Sequence, residues 1–418
     1  MSKSYNVVLV SIGDELCIGQ TLNTNVHWLS RELVKLGANV ISHLTIKDEE
    51  DEIISSIEYF KSKTDLFIFT GGLGPTHDDI TKKVLTKYFN DTLEMKDDVL
   101  VYLKKYFASR NRPFLDRHYE QAMLPSKSKI FPNTVGTAQG MLFMQDNYEL
   151  LSMPGVPREM KNICENSFLE YVKSKIIENK NSVMVYRTIR TVGIAESTLA
   201  DLIGDISFLN GNSLAFLPSY SGVKLRLGTK ANSFEEASVI LDGLEKYITE
   251  KCSDYIYSTK DEDLENQLAS LLSEKKLTIS AAESCTGGLF GSKITSLPGS
   301  SRYFNGSAVT YSNEAKNNIL NVSEETLDNF GAVSKECAIE MARGAKEKYN
   351  SDLAISITGI AGPEGGTEDK PVGTVWIGVS SKNGTDAHKF IFGKDREINR
   401  ELSTYNAMNL LINEIKKV

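Results

Sequence analysis

Between Tyr5 and Gly74 the chain repeats one pattern, and that pattern restricts the fold more than any other feature. Short β-branched runs, YNVVLVSIG, ANVISHLTI and DLFIFTGG, alternate with two amphipathic helical runs. The first helical run carries Trp28, Leu29, Leu33 and Leu36 at helical spacing, and the second, DEEDEIISSIEYFKS, opens with acids. This alternation predicts a mostly parallel sheet with helices on both faces. Ligands of such sheets sit at the C-terminal ends of the strands, where the polar turns lie.

The pattern does not fill the chain. At about 100–200 residues per domain, a chain of 418 residues holds two or three. Residues 1–170 form the first, an α/β domain. Residues 171–256 differ: VMVYRTIRTV and VKLRLGT read as strands and SFEEASVILDGLEKYITEKC as a helix, so a small α+β, KH-like linker domain is expected. The charged stretch STKDEDLENQ opens a third domain, 257–418, again α/β, with strands at LTISAA, SAVTYS, LAISIT and GTVWIGVS. A net charge of -8, and a middle segment without a G-x-x-G clamp in basic flanks, argue against nucleic acid and anionic membranes as partners. No apolar run approaches the ~18 residues of a membrane span. The N-terminal apolar core is a first strand and not a leader. The cysteines, Cys17, Cys164, Cys252, Cys285 and Cys337, are scattered and include no C-x-x-C pair, so neither a zinc site nor a disulfide framework is expected. A cytoplasmic location follows as the expectation.

Two glycine turns carry the chemistry. In TGGLGPTHDD, residues 70–79, Gly71, Gly72 and Gly74 let the backbone approach a ligand, and the following helix start offers free N–H groups to a phosphate. Asp78 and Asp79 either complement the dipole of that helix or bind Mg²⁺ beside the phosphate. Asn23 and Asn25 are either polar ligand contacts or caps of the helix after them. The second turn, Glu283 to Gly288 (ESCTGG), lies between a strand and a helix, and Ser284, Thr286, Gly287 and Gly288 suit an anion. Cys285 has no nearby histidine, so a thiolate nucleophile is poorly supported and a small buried filler is the plainer reading. Downstream, the turn PGSS holds Ser301, and Lys316 lies fifteen residues on, past a strand. A lysine kept neutral by burial can act as base for a serine. Arg396 and Arg400, in GKDREINR, suit a phosphate, and the Gly- and Pro-rich segment 361–372 is long enough to close over a substrate.

Taken in order, GDEL, NTNVHWLSRELVKLGANV, the acids from Asp48, TGGLGPTHDD and PGVPREM resemble the molybdopterin-binding (MoCF-like) domain of the CinA family. That resemblance implies a nucleotide-diphosphate ligand, hydrolysis of the pyrophosphate of ADP-ribose, and a divalent metal (Mg, Mn or Co) held by Asp48 and Asp79 with Asp78 beside them, Thr76 lying in the same turn. ESCTGG, GSSRYF, VTYSNEAK, GAVS, SITGIAGPEGG and KPVGTVWIG resemble the C-terminal domain of the same family, which is similar to nicotinamide mononucleotide (NMN) deamidases. Here the resemblance implies Ser301 as nucleophile, Lys316 as base, Ser284 and Tyr311 in the same network, Thr358 and Gly359 beside the substrate, no cofactor, and a homodimer. Two rival expectations stand beside these. The first domain is a nucleotide- or pterin-binding module without turnover, or the last is a silent assembly domain.

Overall fold

The structure is a computed structural model that describes residues 3–74, 79–179 and 181–417. The chain divides into two compact units, Met1–Tyr186 with Gly228–Leu241, and Arg187–Leu227 with Asp242–Val418.

The first unit is built on strands β1 (Asn6–Ile12), β2 (Asn39–Ile46) and β3 (Leu66–Thr70), with helices α1 (Thr24–Lys35), α2 (Glu50–Phe60) and α3 (Thr81–Tyr88). Strands β4 (Lys129–Phe131), β5 (Gly140–Met144) and β6 (Glu149–Met153) complete the sheet, and α4 (Pro157–Ile163) follows. The strand order is β2-β1-β3-β6-β5-β4. The first four are parallel, and β5 and β4 add an antiparallel margin. The period of two explains why β1 reads as an unbroken apolar run. Val7 and Leu9 face one core, with Leu29 and Leu33 of α1, while Val8 and Val10 face the other, with Ile53 and Ile57 of α2. Mostly parallel with helices on both faces, this is the sheet the alternation predicts. It aims the loops after β1, β2, β3 and β6 at one edge.

In the middle segment β7 (Val183–Thr191), α5 (Glu196–Ile203), β8 (Ser213–Ser219), β9 (Gly222–Ala231), α6 (Phe234–Cys252) and β10 (Ile256–Ser258) give a sheet of order β8-β9-β7-β10. Arg190, near the end of β7, is itself only 6% exposed and grips the chain beyond β10. Its Nε donates to Asp261 Oδ1 at 2.7 Å, its Nη1 to Asp263 Oδ1 at 2.8 Å and its Nη2 to the Asp261 carbonyl at 3.2 Å.

The C-terminal domain follows with α7 (Leu264–Lys275), β11 (Ile279–Glu283), α8 (Leu289–Thr295), β12 (Phe304–Val309), α9 (Asn313–Leu320), α10 (Lys335–Tyr349), β13 (Leu353–Gly359), β14 (Thr374–Ser381), β15 (Gly384–Ile391) and α11 (Arg396–Lys417). The order is β12-β11-β13-β14-β15, with the first three strands parallel and the last two antiparallel. One face packs on Leu264, Leu268 and Leu272 of α7 and Met408, Leu411 and Ile412 of α11. The other packs on Leu320, Cys337 and Met341. Among the described residues no helix is long and apolar enough to cross a membrane.

Candidate active site

In the C-terminal domain the parallel strands β12, β11 and β13 end side by side, and the residues just beyond them meet. Ser284 follows β11, and its N–H donates to the Ile357 carbonyl of β13 at 2.9 Å. Thr310 follows β12, and its N–H donates to the Glu283 carbonyl at 2.7 Å. Helix α9 then turns back, capped by Ser312, whose side chain accepts from Ala315 N at 3.1 Å. The capped first turn sends Lys316 inward, 1% exposed. Its Nζ lies 3.1 Å from Ser284 Oγ, 2.9 Å from the Thr310 carbonyl and 3.5 Å from the Tyr311 carbonyl. Burial pulls the Lys316 amine below the usual lysine range, against an opposing effect of the nearby Cys337 and Cys285 thiols. Nζ donates to all three oxygens, and once the amine loses a proton its lone pair is in reach of the Ser284 O–H.

Ser301 is not in this cluster. It is exposed, in a single 3-10 turn before β12, where the Tyr303 carbonyl accepts from Ile279 N at the start of β11. Ser301 therefore stands at the N-terminal end of β12 and Lys316 beyond its C-terminal end. The strand's six residues, at about 3.3 Å each, hold them roughly 20 Å apart. The expected Ser301–Lys316 pair is corrected: within one chain, the serine that meets Lys316 is Ser284.

The expectation that the ESCTGG turn holds a phosphate is corrected too. Gly287 and Gly288 turn the chain with φ of +60° and +94°. The N–H groups of Gly288 and Phe290 donate to Glu283 Oε2 at 3.0 and 3.1 Å, and that of Gly291 to Glu283 Oε1 at 2.9 Å. The start of α8 thus already holds an anion, supplied by the chain. Thr286 is buried, and its carbonyl accepts from Arg400 Nε and Nη2 at 3.2 and 2.8 Å. Cys285 is 6% exposed and burial pushes its thiol up to about 12, which suits a filler and not a thiolate nucleophile.

Around the dyad, Arg396 Nη2 donates to the exposed Tyr311 hydroxyl at 3.1 Å and Arg396 Nη1 to the Gly362 carbonyl at 2.9 Å. Tyr311 and Arg396 are thereby brought together at the rim, and the segment at 361–372 is tied to it. Thr358, the penultimate residue of β13, is buried and its hydroxyl donates to the Ala332 carbonyl at 2.7 Å, and Gly359 ends the strand. Two contributors escaped the motif reading: Glu283 and the Thr310 carbonyl. Arg400, expected like Arg396 to suit a phosphate, instead donates to the Thr286 carbonyl. An acid directly after an apolar strand run was the one available signal, for Glu283.

The first unit has its own site, a cavity of about 530 Å³ at the edge where β1, β3 and β6 end. Gly71, Gly72, Gly74, Asn23, Asn25, Asp48, Asp79 and Glu159 all line it. Asn23 is the cap of α1, accepting from Val26 N at 3.2 Å, and also donates to Ser11 Oγ at 2.8 Å. Asn25 is not the cap; its Nδ2 donates to the Gly155 carbonyl at 2.7 Å. Asp79 stands before α3 and not in its first turn, and its Oδ1 accepts from Gly74 N at 2.7 Å. Glu159 accepts from Asn133 Nδ2 at 2.6 Å, and burial raises its carboxyl above the usual range. Thr76 and Asp78 lie outside the described residues. Among the described residues no group of three acids, histidines or cysteines forms a metal cage. Of the carboxylates that line the cavity, Asp48 and Asp79 suit a hard divalent cation that keeps its waters and shares a substrate's phosphates.

Comparison with known proteins covers most of the chain. Residues 8–174 match the family described as probable molybdopterin binding domain, 186–258 the damage-inducible protein CinA KH domain, and 261–415 the CinA C-terminal domain. A putative competence-damage inducible protein of Clostridium beijerinckii is 39% identical, over 96% of this chain and 98% of its own. A CinA-like protein of Chloroherpeton thalassium is 42% identical, over 96% and 97%. A crystal structure of the competence/damage inducible protein CihA of Agrobacterium tumefaciens is 39% identical, covering 36% of this chain and 92% of that one, with a TM-score of 0.35.

Proposed function

The chain belongs to the CinA family, and on that premise we propose that its C-terminal domain is a serine–lysine amidohydrolase that converts NMN to nicotinic acid mononucleotide and ammonia. The observation that carries this reading is the contact of the buried Lys316 amine with Ser284 Oγ at 3.1 Å. The Ser284 oxygen attacks the carboxamide carbon as Lys316 Nζ takes its proton. The carbonyl π bond opens to an oxyanion, which needs N–H donors other than those of Gly287 and Gly288, since these already donate to the Ser284 carbonyl and to Glu283. The lysine ammonium then protonates the leaving nitrogen, the C–N bond breaks and ammonia departs. Water, deprotonated by the same lysine, cleaves the acyl ester and restores Ser284. Arg396, at the rim beside Tyr311, suits the phosphate.

The test is ammonia release from NMN with and without EDTA. Release that survives EDTA, stops in Ser284→Ala and persists in Ser301→Ala supports the assignment. Release that stops in Ser301→Ala and persists in Ser284→Ala overturns it in favour of the motif-based nucleophile.

The cavity of the first unit favours a second activity, hydrolysis of the ADP-ribose pyrophosphate. Asp48 and Asp79 would hold a divalent metal, which when bound screens the phosphate charge and supplies a Lewis acid. The glycine turn brings the backbone against the phosphates. AMP and ribose 5-phosphate formed from ADP-ribose only with Mg, Mn or Co present support it. Thermal stabilisation by ADP-ribose without any product marks a binding module instead.

A further inference from the structure

We infer that Glu283 is the positioning residue of the serine–lysine pair: its buried carboxylate, acting as a built-in anion, holds Ser284 at the Lys316 amine. This inference rests on the Ser284–Lys316 reading above.

Glu283 is the last residue of β11 and is 0% exposed. Both carboxylate oxygens are filled. Oε2 accepts from Gly288 N and Phe290 N, and Oε1 from Gly291 N and from Ser307 Oγ at 2.9 Å. The side chain therefore reaches forward over the turn that follows it and pins the far end of that turn. Ser284 sits between the two fixed points, the strand end and the pin. The backbone of Glu283 also sets the other partner. Its carbonyl accepts from Thr310 N, and the Thr310 carbonyl in turn accepts from Lys316 Nζ. One residue thus anchors the nucleophile through its side chain and the base through its main chain.

A buried carboxylate is retained only where donors surround it, and N–H groups at a helix start are among the strongest donors for a charged acceptor. Glutamine cannot replace it. A carboxamide offers one acceptor oxygen and one N–H₂ donor. Its N–H₂ must face either the Gly288 and Phe290 N–H pair or the Gly291 N–H, and none of these accepts a hydrogen bond. The turn has to relax, and Ser284 moves with it. Misplacement of a reacting atom by about 1 Å costs rate on the order of 10²-fold. The loss belongs in kcat, because the carboxylate is sealed from the substrate.

The experiment uses the full chain, with Glu283→Gln and Ser307→Ala, and reads three quantities. These are covalent labelling of Ser284 by a fluorophosphonate probe, located by mass spectrometry; kcat and KM for ammonia release from NMN; and the far-UV melting curve. The expected result is a folded Glu283→Gln chain whose labelling and kcat fall about ten- to a hundredfold, with KM within about threefold of wild type. Ser307→Ala removes one of the four donors without touching α8, and a two- to fivefold loss in kcat, on the order of one neutral hydrogen bond, is expected. A folded Glu283→Gln chain with wild-type labelling and kcat overturns the inference, as does a loss confined to KM. If Glu283→Gln does not fold and Ser307→Ala keeps wild-type kcat, Glu283 serves stability alone and the inference falls. A wild-type chain that labels at Ser284 but releases no ammonia refutes the substrate; slowed labelling in Glu283→Gln then still upholds the positioning role. A wild-type chain that neither labels nor turns over overturns both.

Discussion

Replacing Lys316 by methionine is the sharpest test of the dyad, because the two side chains have similar length and only the amine is lost. On the proposed mechanism the amine takes a proton from Ser284, returns it to the leaving nitrogen and then activates water. General acid–base groups contribute about 10²–10⁴-fold, or about 3–5 kcal/mol of barrier at 1.36 kcal/mol per decade. Stability moves less, because two effects oppose. The Thr310 carbonyl, 2.9 Å from Nζ, and the Tyr311 carbonyl, at 3.5 Å, lose their donor, and an orphaned buried acceptor costs about 1–3 kcal/mol. Against this, the fold no longer has to bury an amine whose charged form it disfavours. The sign follows from the lowered value. The folded chain sheds the Lys316 proton at a pH below 10.5, where the unfolded chain still holds it. Folding is therefore penalised at low pH, and the penalty fades as pH rises toward the unfolded value. The same titration governs rate. Ammonia release from NMN, followed from about pH 6 to about pH 10, should climb to a plateau reached before an ordinary lysine titrates, and Lys316→Met should be flat and lower by at least about 10²-fold. A folded Lys316→Met chain that keeps more than about a tenth of wild-type activity refutes the reasoning, as does a rising limb centred on the ordinary lysine value.

Other outcomes follow from single contacts. Cys285→Ala should keep ammonia release within about threefold of wild type, since a small buried thiol contributes packing and not chemistry; a loss as large as that of Ser284→Ala refutes this. Gly72 has φ +64°, and a Cβ there runs into Thr81 Oγ1 and comes within 2.9 Å of Asp48 Oδ1. Gly72→Ala should therefore abolish nucleotide-induced stabilisation of the first unit while NMN turnover continues; retained ADP-ribose binding in a thermal-shift assay contradicts that. Lys82 of α3 donates to the Glu120 and Met123 carbonyls, and burial brings its amine down to about 8 from 10.5. Its penalty on folding is full below about pH 8 and relieved as pH climbs toward 10.5, so the stability of the first unit should rise from about pH 8 to about pH 9.5. Chemical denaturation across that window should show the rise in wild type and a flatter profile in Lys82→Met.

Much of the fold is legible in the chain, and the site less so, for a definable reason. Strands such as β1, β3 and β13 are buried on both faces and read as unbroken apolar runs. Strand β15, GTDAHKFI, is an edge strand with charged and polar side chains on its exposed side, and it offers no such run. The motifs at Ser284, Ser301 and Lys316 were all visible. Which serine meets the lysine is a tertiary fact, yet part of it could be read. SAVTYS is recognisable as a strand, and it lies between Ser301 and Lys316, so the two must stand at opposite ends of it. Ser284 follows its own strand, and in a parallel pair residues that follow strands share an edge. The misplaced phosphate has a similar cause. A strand, a glycine turn and a helix start do make an anion site, but the sequence does not say that Glu283 reaches over the turn and fills it.

The Arg190 grip changes what the charged stretch before α7 is. STKDED has the composition of a loose tether, and a linker of that kind lets the flanking parts tumble separately. With Asp261 and Asp263 held by a guanidinium that is itself almost fully covered, the stretch is a fastened strap. Bond formation at three points removes the slack that a hinge requires. Protease cleavage after Lys260 has to wait for the strap to come undone. Pulling on the stretch before α7 loads Arg190 at the end of β7 directly, although the composition marks a border between them.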